Sequence, residues 1–201
     1  MKKVLLSVFL AAFIFTGCSV YQSIVNLTRL KFKLDGVTSI SVAGINVLGK
    51  NSISDFNFGE IASVTASVIQ GTLPVALTLN VAALNPNDGT GGYAQTDATL
   101  KSFPYRFVVD GKDFITGNIA NPISIPGTGQ TTNIGLNFSL DLAQLLAGQG
   151  YESLLNTVLM IAGVGKGQTQ IALYAQPVVS TIIGDIQYPG EIKIIDTEFT
   201  R

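Results

Sequence analysis

Histidine and tryptophan are absent from the 201 residues, cysteine occurs once, and charged side chains make up only 12% of the chain. Without histidine there is no Ser-His-Asp triad, no Cys-His dyad and no imidazole-ligated metal. A single cysteine excludes an intramolecular disulfide framework and a cysteine-cluster metal site. Twelve basic residues against thirteen acidic ones, net −1, offer no basic field for nucleic acid. What is present is apolar: 47% hydrophobic residues, with 21 Gly and 7 Pro and a mean hydropathy of +0.42. Such a chain is too apolar to stay disordered, and its length suits one domain.

The N-terminus reads as an address. Lys2 and Lys3 precede an apolar run from Val4 to Phe15, broken only by Ser7. About twelve residues fall short of the roughly 20 that a spanning helix needs and fit the h-region of a secretory signal. The run ends in Phe15-Thr16-Gly17-Cys18, which resembles a bacterial lipobox, with Phe15 in place of the usual Leu. This predicts cleavage between Gly17 and Cys18, a diacylglycerol on the Cys18 sulfur and an acyl group on the new amine. Two or more acyl chains give stable anchoring. Residues 1–17 hold two lysines and no acid, so removing them leaves a more acidic chain. Ser19 follows the cysteine, where Asp would signal inner-membrane retention. By resemblance to lipoprotein sorting in diderm bacteria, the expected location is the outer membrane. No acidic export run follows Cys18, which favours the periplasmic face.

Three segments are therefore expected: a signal peptide at 1–17, the lipidated Cys18 with a tether at 18–32, and a single domain at 33–201. The tether from Ser19 to Arg29 reaches at most about 36 Å at ~3.3 Å per residue.

Period-two alternation dominates the rest. Val75, Leu77, Leu79, Val81 and Ala83 alternate with Ala76, Thr78, Asn80 and Ala82, behind Pro74 and ahead of the turn Asn85-Pro86-Asn87-Asp88-Gly89. A less regular strand surrounds Val37 to Ile45. Runs at Tyr105 to Val109 and Lys112 to Thr116 flank Asp110-Gly111, a strong hairpin signal because both turn positions need positive φ. Further alternation at Ile134, Leu136 and Phe138, at Ile171, Leu173 and Ala175, and around Tyr188-Pro189-Gly190 brings the expected number to about seven. Two stretches switch to helical spacing: Phe58 to Ile69, with Asp55 or Asn57 as cap and Gly71 as stop, and Ser139 to Ala162, broken at Gly148 and Gly150. The predicted class is mainly β, α+β by content: a β-sandwich with inserted short helices.

The strand over 73–84 running into Asn85-Pro86-Asn87, the Tyr105-Arg106-Phe107-Val108-Val109-Asp110-Gly111 hairpin, then Gly117, Ile125-Pro126-Gly127 and the strand over 132–140 together resemble the late-embryogenesis-abundant group 2 family. Its members include the water-stress and hypersensitive-response domain. The resemblance spans roughly residues 33–195. It implies an immunoglobulin- or fibronectin-like sandwich, no catalytic residues, no cofactor and, by name alone, a stress-protective role. The long helical insertions and the lipid anchor depart from the family pattern.

Few residues carry the pattern of a chemical site. Gly163-Val164-Gly165-Lys166-Gly167-Gln168-Thr169 lacks the first Gly and the Ser/Thr of a phosphate loop, and it follows a helix where it should precede one. Asn87-Asp88-Gly89-Thr90-Gly91-Gly92 offers one carboxylate where a calcium loop wants several. Asp110 and Asp113 read as hairpin-tip residues, not as a general acid/base pair. The Leu142, Leu145, Leu146, Leu154, Leu155, Val158 and Leu159 stripe reads as core, or alternatively as one wall of an apolar groove for a lipid or small molecule. Tyr21, Tyr93, Tyr105, Tyr151, Tyr174 and Tyr188 are candidate interface anchors. The expected function is therefore non-catalytic, without metal or cofactor: a membrane-anchored lipoprotein that presents its domain to an envelope protein or to the membrane surface. A periplasmic lipid carrier is the alternative.

Overall fold

The computed structural model of the chain describes residues 29–92, 94–109, 111–148, 150–164, 171–181, 184–195 and 198–200. Cys18, Gly17 and the tether as far as residue 28 lie outside the described residues, as do Asp110, Tyr21, Tyr93 and most of the 163–169 loop.

The protein is mainly β. Strands β1 (Lys31–Val42), β2 (Ile45–Asn46), β3 (Pro74–Leu84) and β8 (Thr131–Asp141) form a first sheet in the order β2-β1-β3-β8. A second sheet holds β4 (Ala98–Ser102), β7 (Ile123–Ile125), β10 (Val178–Thr181) and β11 (Gly184–Gln187), in the order β11-β10-β4-β7. The third holds β5 (Tyr105–Val109), β6 (Lys112–Gly117), β9 (Ile171–Ala175) and β12 (Ile192–Ile194), in the order β12-β9-β5-β6. All pairings are antiparallel. Helices α1 (Phe58–Ile69), α2 (Leu142–Leu145) and α3 (Tyr151–Ile161) complete the described elements, with a 3-10 turn at Ile53–Asp55.

β3 organises the first sheet. Its odd-numbered residues Val75, Leu77, Leu79, Val81 and Ala83 are all buried. Leu77 pairs with Phe138, Leu79 with Leu136 and Val81 with Ile134 on β8, so cross-strand apolar pairs form one face of the sheet. The aromatic rings of the third sheet meet that face: Phe138 lies 5.2 Å from Tyr105 and 5.4 Å from Phe107. Phe32 of β1 sits 5.4 Å from Phe103, so the β4–β5 link is drawn into the same contiguous core. Offset and edge contacts of this kind add about 0.5–1.5 kcal/mol to the area each ring buries.

The irregular alternation at residues 37–45 has a physical cause. β1 carries two bulges against β3, between Leu34 and Gly36 and between Val37 and Ser39. Each inserts one residue and flips the pattern to the other face. Phe32 and Leu34 therefore point inward, then Val37, then Ile40 and Val42 again on even numbers. Gly36 takes φ +98° at the first bulge, a conformation that glycine adopts without strain.

Several boundaries differ from the sequence expectation. The fold starts before residue 33, because Leu30 and Phe32 are buried and β1 begins at Lys31. The helical stretch expected from Ser139 starts at Leu142, because the β3 ladder extends β8 through Leu140 and Asp141 to Pro74. Asp141 then caps α2, accepting from the Ala143 amide. No hairpin forms around Tyr188-Pro189-Gly190. β11 pairs with β10, whereas β12 pairs with β9 in another sheet. The described residues form twelve strands where about seven were expected. The additional ones include β2 and β7, of two and three residues, too short for alternation to register, and β4, whose five residues do alternate, Ala98 and Leu100 buried and Thr99 and Lys101 exposed. β5 and β6 pair on either side of residues 110–111 as expected, with Val109 opposite Lys112.

Candidate functional site

The first sheet has two ends, and the described residues of interest gather at both. β1 begins, β3 finishes and β8 begins at one end, where Lys31, Leu84 and Thr131 lie side by side. The opposite end carries α1, α2 and the turn after β2.

At the first end, Asn85 and Asn87 are the buried polar residues of the described chain. Asn85 donates through Nδ2 to the carbonyls of Thr96 (2.8 Å) and Ile125 (2.9 Å), and its Oδ1 accepts from both the Asn87 amide and Asn87 Nδ2. One side chain thus ties together the segment after β3, the segment before β4 and the end of β7. Gly127 is forced here, because a Cβ would collide with the carbonyl oxygens of Asn87 and Thr96. Its amide donates to Asp97 at 2.9 Å. Arg29 Nη1 donates to Asn87 Oδ1 at 2.9 Å. Arg29, two residues before β1, is therefore clamped to the Asn85-Pro86-Asn87 turn. Asp88 accepts from the Thr90 hydroxyl and amide, which holds its pKa below the ordinary 3.8, with a smaller contribution from the Arg29 charge.

At the opposite end, Asn57 caps α1 by accepting from the Glu60 amide, and the Glu60 carboxylate accepts from the Asn57 amide, a reciprocal capping box. Lys50 bonds Glu60 at 2.9 Å and lies over the Phe56 ring at 4.6 Å. The Lys50 hydrogen bond first, and the Asn57 amide second, hold the Glu60 pKa below 4.5. Val64 is the buried residue of α1. Facing away from the core, Phe58 is 90% exposed and Ile69 80% exposed. Positions 58, 62, 66 and 69 share one helical stripe, and Ala62 and Ala66 are exposed between the two large residues.

The apolar stripe considered as a groove wall is spent on the interior. Leu142, Leu154, Leu155, Val158 and Leu159 are at most 1% exposed and belong to the main core. Leu146 is half-buried against that core, and Leu145 points outward at 45% exposure. These side chains pack against the rest of the main core. An open cavity of about 340 Å³ lies elsewhere, lined by Ile192, Lys193, Ile195, Glu198, Phe199 and Thr200.

The tyrosines scatter. Tyr105 is core, and burial raises its pKa. Tyr151 donates to Glu152, and Tyr188 donates to the Leu30 carbonyl. Tyr174 lies on the face opposite buried Leu173, with Arg106 stacked 4.4 Å over its ring. Arg106 also pairs with Asp113 at 2.6 Å and with Glu191 at 2.9 Å, so Asp113 belongs to an ion-pair cluster across the third sheet. Among the described residues no group of three His, Cys, Asp or Glu could hold a metal ion, and no helix is long and apolar enough to cross a membrane.

Sequence reasoning missed the Arg29 clamp, although Arg29 is the one charged residue between Lys3 and Lys31. It also missed the outward face of α1. Phe58 and Ile69, eleven apart, were available as a signal.

No protein-family model matches the chain, and no curated protein matches it. One similar solved structure is the crystal structure of a protein from Archaeoglobus fulgidus, 12% identical, covering 59% of this chain and 82% of its own, with a TM-score of 0.33. At that level of similarity neither fold nor function transfers.

Proposed function

We propose that the chain is a non-catalytic outer-membrane lipoprotein, anchored through acylated Cys18, that presents a β-sandwich of the late-embryogenesis-abundant group 2 type to another envelope protein on the periplasmic side. The contact of the first sheet with Tyr105 and Phe107 of the third supports the sandwich reading. The observation that carries the functional reading is the separation of tether and apolar surface. Arg29 is clamped at one end of the first sheet. Phe58 and Ile69 are exposed at the other, about 35 Å away along the eleven residues of β3. Exposed apolar stripes mark interaction surfaces, and this one stands clear of the anchor.

A protein fits that surface better than a lipid headgroup layer. Helices that lie on membranes carry Lys and Arg on the polar face, and α1, FGEIASVTASVI, has neither. The nearby cation Lys50 is engaged by Glu60 and Phe56.

A photo-crosslinker placed at Ala62 tests this in intact cells, comparing the wild-type chain with Cys18→Ser. A discrete crosslinked protein that disappears with Cys18→Ser is expected. Crosslinks to lipid, or an adduct pattern and membrane fractionation unchanged by Cys18→Ser, contradict the reading.

A further inference from the structure

The first sheet ends on two unlike edges. The β1 edge is covered at both ends. β2 covers Ser41 and Val42. Toward the start of β1, the Leu34 amide donates to the Ile195 carbonyl at 2.9 Å, the Thr200 amide donates to the Phe32 carbonyl, and the Phe32 amide donates to Thr200 Oγ1. The β8 edge has no such cover. Its ladder pairs with β3 from Asp141 to Thr131, and among the described residues no strand, tail or side chain bonds its other side.

Open edges are ordinarily blunted by proline, charge, a bulge or shortness. β8 has eleven residues, TTNIGLNFSLD, with no proline and no charge before its last position. Its eleven pairs with β3 run without a register shift. Every second residue therefore offers an amide and a carbonyl to a further strand.

We propose that β8 is a strand-docking edge and that its occupant is β8 of a second copy of this chain, antiparallel about a two-fold axis at Gly135. The sequence is self-complementary about that residue. Asn133 of one copy falls opposite Asn137 of the other, Thr131 opposite Ser139, and Ile134 opposite Leu136. The residues at 131, 133, 135, 137 and 139 are exposed on the outer face, whereas Ile134 and Leu136 face the core. On the outer face amide thus meets amide and hydroxyl meets hydroxyl, and on the inner face Ile134 meets Leu136 while Thr132 falls opposite Phe138, with no like charges opposed. The pairing joins two four-stranded sheets into one of eight. A pair of edge strands buries less than the ~800 Å² per partner of a standard stable interface, so the association is concentration-dependent, and it strengthens where two copies share a bilayer. The antiparallel arrangement sets the two Arg29 clamps at opposite ends of the dimer. Tethers reaching about 36 Å each allow both anchors to enter one membrane.

Gly135 makes the test clean. A Cβ there meets Asn80 Oδ1 at 3.7 Å and Thr78 Cγ2 at 3.8 Å, ordinary contacts, so a longer side chain projects outward without disturbing the sheet. Sedimentation of the full chain in detergent should show a concentration-dependent dimer. Gly135→Lys, which opposes two ammonium groups at the axis, should raise the dissociation constant at least about tenfold. Mixing Gly135→Lys with Gly135→Glu should restore the dimer. As a measurement needing no variant, amide exchange at alternate β8 residues of the wild-type chain should slow as concentration rises. A wild-type chain monomeric at every concentration, a lysine variant that dimerises as tightly as wild type, a mixture no tighter than its parts, or concentration-independent β8 exchange would each overturn the proposal. None of these readouts depends on Cys18, so they separate this inference from the anchoring function.

Discussion

At the Asn85 end of β3, three loops and Arg29 converge on two buried amides and one guanidinium, whereas at the Leu73 end the Asp141 carboxylate joins the Leu73 and Ala143 amides beside a large aliphatic cluster from α3. The difference teaches what each end is suited to. A hydrogen-bonded junction is directional and loses its geometry when one member goes. It therefore fixes Arg29 and the start of β1 against the Asn85-Pro86-Asn87 turn. At the helical end the Asp141 bonds are backed by non-directional burial of the α3 side chains, in which each Leu or Val contributes about 1.5–3 kcal/mol. That leaves the outer surface of α1 free to carry Phe58 and Ile69 without cost to the fold beneath.

The comparison can be sharpened by substitution. Leu155 is fully buried among the α3 residues that close the helical end, and Leu155→Ala should cost about 2–5 kcal/mol in chemical denaturation, the spread depending on how far the helix collapses into the void. Asn85→Ala should cost about 2–3 kcal/mol, because the Thr96 and Ile125 carbonyls lose their donor. It should also loosen the Arg29 clamp, read as faster amide exchange at the start of β1 while α1 is unaffected. If exchange rises equally at both ends, the two are not independent. Asn57→Ala should cost about 1 kcal/mol and loosen α1 alone. The Glu60 carboxylate in the same box is held below its ordinary pKa of 4.5. Its contribution is therefore present above pH 4.5 and lost as pH falls through its lower value in the fold, so mild acid should fray the start of α1 before the Asn85 junction opens.

Much of the scaffold was legible in the chain. β3 and β8 alternate cleanly because neither is bulged and one face of each is buried. The β5–β6 pairing and the Asn57 cap follow from local chemistry that needs no tertiary context. β1 was blurred because its two bulges invert the alternation twice within a few residues, and bulges respond to the neighbouring strand. The pairing of β12 with β9 was invisible, since sequence adjacency of 184–187 and 192–194 favours a hairpin and only the three-dimensional sheet order separates them. The Asn85-Pro86-Asn87 turn was visible as a motif, but not its partners, which lie up to 40 residues downstream and 58 upstream. The Leu154 to Leu159 stripe looks the same from sequence whether it lines a groove or fills a core. Which one it does depends on what packs opposite.

Intact mass of the full-length gene product, extracted from the membranes of a diderm host, tests the central claim of anchoring most directly. The account predicts a single species beginning at Cys18 and heavier than its polypeptide by a diacylglycerol and an N-linked acyl group. A chain that retains Met1 to Gly17, or one that begins near Cys18 without added lipid mass, would contradict it.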